Sequence, residues 1–174
     1  MIRVPTVARR MGLALAGLAA ALLAAAFAFE HWAGLAPCAL CWWQRYAWMA
    51  TLPPALAAAG LRGRLATVAL GLAALAALAG AGVALFHVGV EQGYWAGTPE
   101  CGSRLGPAAS PEERLRQIMA APVVRCDQIA WSWLGLSMAA WNGLAALVGG
   151  GLALAVALRQ MMSGASDDRH APTS

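Results

Sequence analysis

The chain has 174 residues, 60% hydrophobic and only 11% charged, with a formal net charge of +4 and a mean hydropathy of +0.61. That balance excludes an ordinary soluble domain of this size and points to a membrane. All twelve basic residues are arginine, a bias that genome base composition explains without a functional reason, and no nucleic-acid partner is expected.

A bilayer core about 30 Å thick takes roughly 20 mainly apolar residues per helix. The first such run, 11–29, follows Arg9 and Arg10 and is alanine-rich, as a signal peptide is. It is longer than the usual apolar core of about 7 to 15 residues, and Glu30-His31-Trp32 after it is a poor cleavage site, so a retained helix is expected. Further runs fall at 42–60, 65–88 and 133–158. The segment between the last two is too rich in Pro, Gly and charge to cross a bilayer.

With four spans, Arg3, Arg9, Arg10, Arg62, Arg64, Arg159 and Arg169 share one side, and short arginine-rich loops mark the cytoplasm. The opposite side holds loops 30–41 and 89–132, whose six acidic residues outnumber Arg104, Arg114, Arg116 and Arg125. The N-terminus, the loop 61–64 and the tail 159–174 are then cytoplasmic, with the polar stretch Ser163 to Ser174 expected to be disordered.

The expected fold is an all-α membrane protein, one integral domain over 1–174 forming a four-transmembrane-helix bundle. Gly71, Gly80, Gly82 and Gly149 to Gly151 would let its helices approach closely. In the long second outer loop, SPEERLRQIM starts with Ser110 at a cap, Pro111 at the first helical position and Glu113 three residues on, a capping box. Leu115, Ile118 and Met119 share one face. A short amphipathic helix is expected, lying on the membrane or packed against its own loop.

All four cysteines fall on the outer side: Cys38 and Cys41 where the first loop meets the second helix, Cys101 and Cys126 in the second loop. An even count in a compartment where disulfides persist reads as two pairs, although which cysteines are bonded at rest stays open. A zinc site would want four ligands in close array, commonly two Cys-x-x-Cys pairs, and there is only one, so no metal is expected. A structural staple suits Cys101 and Cys126, because closing a loop of that length constrains the unfolded chain by about 3.5 kcal/mol. It does not suit Cys38 and Cys41, whose four-residue ring constrains almost nothing. Such rings are associated with thiol exchange, and redox work is expected of this pair.

The ten residues PCALCWWQRY sharpen that expectation. Pro37 ends the loop, so Cys38 and Cys41 belong at the first turn of the second helix, where unpaired N–H groups favour a thiolate. Arg45 lies at i+4 from Cys41, on the same face, and would reach back toward it. Arginine costs about 2.5 to 3.5 kcal/mol at a bilayer centre and less near the edge. A snorkelling anchor is one use of such a residue; its place below a reactive thiol favours binding of an anionic or electron-accepting group. Trp42, Trp43, Tyr46 and Trp48 suit an aromatic site or an interfacial belt equally well.

PCALCWWQRY, FHVG at the end of the third helix, a cysteine pair in the long second loop and CDQIAWSWLGLSMAAWN leading into the fourth helix together resemble the DsbB family of bacterial inner-membrane disulfide-bond formation proteins. The resemblance covers almost the whole chain. It implies a quinone-dependent thiol oxidase, using ubiquinone or menaquinone, that reoxidises a DsbA-like periplasmic thiol oxidase. Such a partner is itself strongly oxidising, so coupling to a quinone supplies the downhill step.

Carried onto this sequence, Cys101 would form the mixed disulfide with the partner, and Cys126 would be its bonded mate. Cys126, once freed, would attack Cys38 and leave Cys41 as the thiolate facing the quinone. Arg45 would polarise a quinone oxygen, and His87, in FHVG, matches a position near the quinone. Gln44 departs from the acidic residue associated with its position in the best-known member of the family, which puts a carboxylate relay there in doubt; Glu30 and His31 are alternative sources. A vitamin K epoxide reductase-like enzyme also places Cys-x-x-Cys by a quinone, but with the two pairs in the reverse order. A tetraspan structural protein with inert loop disulfides is the third reading.

Overall fold

The computed structural model describes residues 6–101, 110–120 and 124–169. Among the described residues there are five α-helices: α1 (Thr6–His31), α2 (Ala39–Gly60), α3 (Gly63–Glu91), α4 (Pro111–Ala120) and α5 (Met138–Arg169). A 3-10 turn occupies Pro99–Cys101, and two short strands, β1 (Ser132–Trp133) and β2 (Leu136–Ser137), precede α5. The long helices pack in sequence order, α1 on α2, α2 on α3 and α3 on α5, with α5 also touching α1. The short connections alternate their direction. Arg9, Arg10, Arg62, Arg64 and Arg159 therefore gather toward one end of the bundle and all four cysteines toward the other.

Among the described residues, three stretches are long and apolar enough to cross a membrane: Val7–His31, Gly63–Glu91 and Met138–Ser163. α2 is not among them, because Gln44, Arg45, Thr51 and the Pro53-Pro54 pair dilute its apolar character. The bundle is built for apolar surroundings nonetheless. Its core is mostly alanine, including Ala16, Ala19, Ala55, Ala73 and Ala77, while Leu13, Leu72, Leu75, Leu85, Leu147 and Leu152 face outward. Small residues inside and large apolar residues outside are what close helix packing in lipid favours, since lipid gives no hydrophobic drive between helices.

Glycines set how closely the helices approach. A Cβ on Gly80 would lie 2.8 Å from the Ala47 Cβ, one on Gly149 2.9 Å from Leu18, and one on Gly150 3.2 Å from the Ala74 carbonyl. Gly71 is looser, at 4.0 Å, and Gly82 and Gly151 meet nothing within 4 Å. The tightest helix–helix approach to backbone involves Gly12 of α1, whose Cβ would stand 2.7 Å from the Ala55 carbonyl oxygen. Gly12→Ala should therefore lower stability by about 1–3 kcal/mol through overpacking. Gly17→Ala, on the same helix with nothing within 4 Å, should be neutral or slightly stabilising; thermal unfolding of the two variants in one detergent checks the contrast.

The fourth long helix departs from expectation at both ends. Residues 132–137 form an antiparallel hairpin pairing Ser132 with Ser137 and Trp133 with Leu136, so α5 starts at Met138 rather than Trp133. Leu134 (φ 51°) and Gly135 (φ 78°) both take the left-handed conformation of a two-residue hairpin turn. Apolarity alone had merged this hairpin with the helix. Ser137 then caps α5, its Oγ accepting from the Ala140 N–H at 3.2 Å. At the other end α5 runs through Arg169, well into the stretch expected to be disordered; residues 170–174 lie outside the described residues.

α4 begins as the capping box requires, with the Ser110 Oγ accepting from the Glu113 N–H at 3.2 Å. Leu115 and Met119 are exposed, which favours a face offered to a membrane surface over one packed on its own loop. The Ile118 side chain and Arg104 lie outside what the structure describes.

Candidate active site

The loop between α1 and α2 ends at Pro37, and Cys38 takes the N-cap position of α2 with extended backbone (φ −76°, ψ 174°). Its sulfur does what a capping oxygen usually does and accepts the Cys41 N–H at 3.2 Å. The two thiols are unbonded, and the Cys38 Sγ donates to the Cys41 Sγ at 2.8 Å. That hydrogen bond, and then burial, push the Cys38 thiol above its ordinary range.

The second pair is bonded. A disulfide joins Cys101, at the end of the 3-10 turn, to Cys126, with 5.2 Å between their Cα atoms. Gly97 makes room for it: a Cβ there would lie 2.9 Å from the Cys101 Cβ. Cys126 is 1% exposed and shares one buried cluster with Cys38, Leu40 and Val90, against which Cys41, Cys101, Phe86 and Val124 pack. The two pairs are therefore neighbours in one apolar setting. An Arg125–Asp127 ion pair at 2.5 Å flanks Cys126 on the surface and holds the Asp127 carboxyl below its usual range; fully exposed, it contributes little.

His87, 4% exposed, stands over the dithiol with its Nε2 3.6 Å from the Cys38 Sγ. Its Nδ1 is 2.8 Å from the Gln44 Nε2. The Gln44 Oε1 accepts from the Asn142 Nδ2 at 2.5 Å, and the Asn142 Oδ1 accepts from the Trp48 Nε1 at 2.6 Å. One turn after His87, the Glu91 Oε1 lies 3.9 Å from the His87 Nε2, and the Glu91 Oε2 accepts from the Ser137 Oγ at 2.5 Å. α2, α3 and α5 are thus tied together beside the cysteines by satisfied polar groups.

Arg45 is 7% exposed and turns toward α1. It pairs with Glu30, donates to the Ala26 carbonyl at 3.1 Å, and lies 4.8 Å from the Phe27 ring centroid and 4.9 Å from that of Trp42. The Glu30 carboxylate and two aromatic faces hold this buried cation, and its charge is still felt at the Cys41 sulfur. Glu30 is accordingly the partner of Arg45. His31 bonds back to its own helix, at the Phe27 carbonyl, 2.9 Å away. Trp43 and Tyr46 are exposed and Trp48 is buried, so the aromatic residues of PCALCWWQRY divide between surface and core.

An apolar cavity of about 560 Å³ opens between α2 and α3, lined by Leu40, Trp43, Gly82, Val83 and Phe86 and roofed by Thr98 to Glu100. Arg45 and His87 do not line it. Glu91, Asn142, Ser137 and the role of Gln44 had no place in the sequence reading. Each was detectable in principle: a polar side chain inside an apolar helix is costly unless partnered, and partners at helix spacing (His87 and Glu91) or on a facing helix (Asn142) are the signal.

The comparisons with known proteins point to one family. The family model described as disulfide bond formation protein DsbB matches residues 8–156. Disulfide bond formation protein B of Azoarcus sp. (strain BH72) is 37% identical over 159 residues, covering 85% of this chain and 93% of that protein. The protein of the same name from Aromatoleum aromaticum (strain DSM 19018 / LMG 30748 / EbN1) is 36% identical over 140 residues, covering 77% and 82%. That of Marinobacter nauticus (strain ATCC 700491 / DSM 11845 / VT8) is 33% identical over 132 residues, covering 72% and 77%.

Proposed function

The chain belongs to the DsbB family of disulfide bond formation proteins, and from that membership and the site geometry we propose that it is a quinone-dependent thiol oxidase of the bacterial inner membrane. The observation that carries the reading is the shared cluster: a free dithiol, Cys38 and Cys41, packed against a disulfide, Cys101–Cys126. Inert staples have no need of each other. Disulfide exchange does, because an attacking thiolate must reach the sulfur it displaces.

All four long helices span the membrane in this reading. α2 has 22 residues, about 33 Å at 1.5 Å per residue, and its Gln44, Arg45 and Thr51 are turned inward, leaving an outer face that lipid tolerates. The arginine-bearing end is cytoplasmic and the cysteine end periplasmic, where a DsbA-like partner meets the protein.

The partner's thiolate attacks the sulfur of Cys101, the half-exposed member of its disulfide, and Cys126 leaves as a thiolate. The partner's second thiolate then attacks its own sulfur in the mixed disulfide and releases Cys101. The partner has lost two electrons and two protons, and Cys101 and Cys126 hold the electrons. Exchange of the reduced loop pair with an oxidised Cys38–Cys41 pair moves them inward, with Cys126 attacking Cys38 and Cys41 leaving. A ubiquinone or menaquinone, when bound, supplies the final two-electron, two-proton acceptor.

The residues present suit such a group. Arg45 gives a buried cation between aromatic faces, held by Glu30, and His87 adds a buried ring within reach of the dithiol. Arg45→Ala should raise the quinone KM about tenfold, the loss of one charge-assisted hydrogen bond. Thiol exchange with the partner should stay unchanged, which stopped-flow measurement of each half-reaction checks.

Alkylation of thiols in intact membranes tests the function. In quinone-depleted membranes Cys38 and Cys41 should accumulate as thiols and should reoxidise when quinone is restored. Cysteines whose state ignores quinone would identify the tetraspan structural protein instead.

A further inference from the structure

The hydrogen bonds around His87 have a direction, and one residue sets it. An indole nitrogen can only donate, so Trp48 must give its N–H to the Asn142 Oδ1, at 2.6 Å. The Asn142 amide then has its NH2 aimed at Gln44, and the Gln44 Oε1 accepts at 2.5 Å. That leaves the Gln44 NH2 facing the His87 Nδ1 at 2.8 Å. Two donors cannot share that bond, so Nδ1 is the bare nitrogen and the proton of the neutral ring sits on Nε2. This N–H faces the Cys38 Sγ at 3.6 Å. The same sulfur takes the Cys41 N–H at 3.2 Å, and its own S–H points to the Cys41 Sγ at 2.8 Å.

We propose that Trp48, Asn142, Gln44 and His87 form a one-way chain of donors that fixes the Nε2–H tautomer of His87, so that the ring presents an N–H and not a lone pair to the Cys38 sulfur. The Cys126 backbone, which the same ring also bonds, suits that tautomer, and each donor polarises the next. The N–H stabilises negative charge on Cys38, the sulfur that Cys126 attacks in the oxidase reading, on which this inference rests. Trp48, Asn142 and Gln44 are positioning residues acting through His87.

The chain also explains Gln44. A glutamate there would accept from His87 at Nδ1 and invert the tautomer, presenting a lone pair to Cys38 in place of an N–H. The ligand atoms of Cys38, Cys41 and His87 lie within 4.8 Å of one another, a spacing a metal ion can use. The fixed tautomer aims a proton, not a lone pair, into that space.

Nitrogen NMR of reduced, quinone-free protein labelled with 15N-histidine reads the tautomer directly, with His87→Asn assigning the signal among the three histidines. The expected spectrum has a bare Nδ1 and a protonated Nε2 in the wild type, and the reverse in Gln44→Glu. A protonated Nδ1 in the wild type overturns the proposal even if Gln44→Glu does not fold. A limiting pulse of iodoacetamide, read by mass spectrometry, measures the effect on the sulfur: labelling of Cys38 relative to Cys41 should fall about tenfold in Gln44→Glu, the loss of a charge-assisted hydrogen bond. An unchanged ratio would also overturn it. Neither readout involves quinone turnover, so a failure here leaves the oxidase reading standing, and failure of quinone reduction in the wild type would leave the tautomer standing.

Discussion

Cys41→Ser should abolish electron transfer from a dithiol partner to quinone, lowering turnover by about a thousandfold or more, as loss of a reacting group does in enzymes whose residues act as a unit. A serine hydroxyl can keep the hydrogen bond from Cys38 but cannot form a disulfide. With Cys41 gone, the inner pair cannot close, and electrons delivered to Cys101 and Cys126 have nowhere to go. Disulfide exchange between the partner and the loop pair should survive, because Cys101 and Cys126 are untouched. Quinone absorbance under turnover conditions reports the first effect and a single-turnover gel shift the second. Full turnover in Cys41→Ser would remove this pair from the mechanism.

The second large effect is expected at the loop pair. In Cys126→Ser, the Cys101 thiolate should displace thionitrobenzoate from a DsbA-like partner that keeps only its attacking cysteine, and the mixed disulfide should remain, since neither Cys126 nor the partner's second thiol is there to displace it. The adduct should rise from a trace to most of the protein on a non-reducing gel. Cys101→Ser is the matched control. Both variants lose the same staple across 25 positions, worth about 3.5 kcal/mol in the chain-entropy account, so a difference between them reports chemistry and not folding. Equal trapping by the two variants would reverse the assignment of Cys101 as the residue that meets the partner.

Much of the architecture was legible because lipid imposes so few solutions. Hydropathy located the cores of α1, α2, α3 and α5, and the capping residues Ser110 and Glu113 located the start of α4. The hairpin at 132–137 was not legible, since Trp133 and Leu134 are as apolar as a helix needs and the turn depends on Leu134 taking a positive φ that leucine seldom adopts. The four cysteines and Arg45 were found by type and spacing and His87 through the family resemblance, and the structure gathers the cysteines and His87 together. The direction of the Arg45 side chain was not available from spacing, because its partners on α1, Glu30 and Phe27, are brought to it by helix packing. Asn142 was hidden for the same reason, since its partners lie on another helix; Glu91 had a signal in its spacing from His87, but its bond to Ser137 had none.

Anaerobic titration of the purified protein reads out the proposed movement of electrons from protein thiols to a quinone. With a reduced DsbA-like partner and ubiquinone or menaquinone present, one quinol should form for each disulfide gained by the partner, at a rate that depends on all four cysteines. Partner thiols that stay reduced, with the quinone spectrum unchanged, would contradict the account.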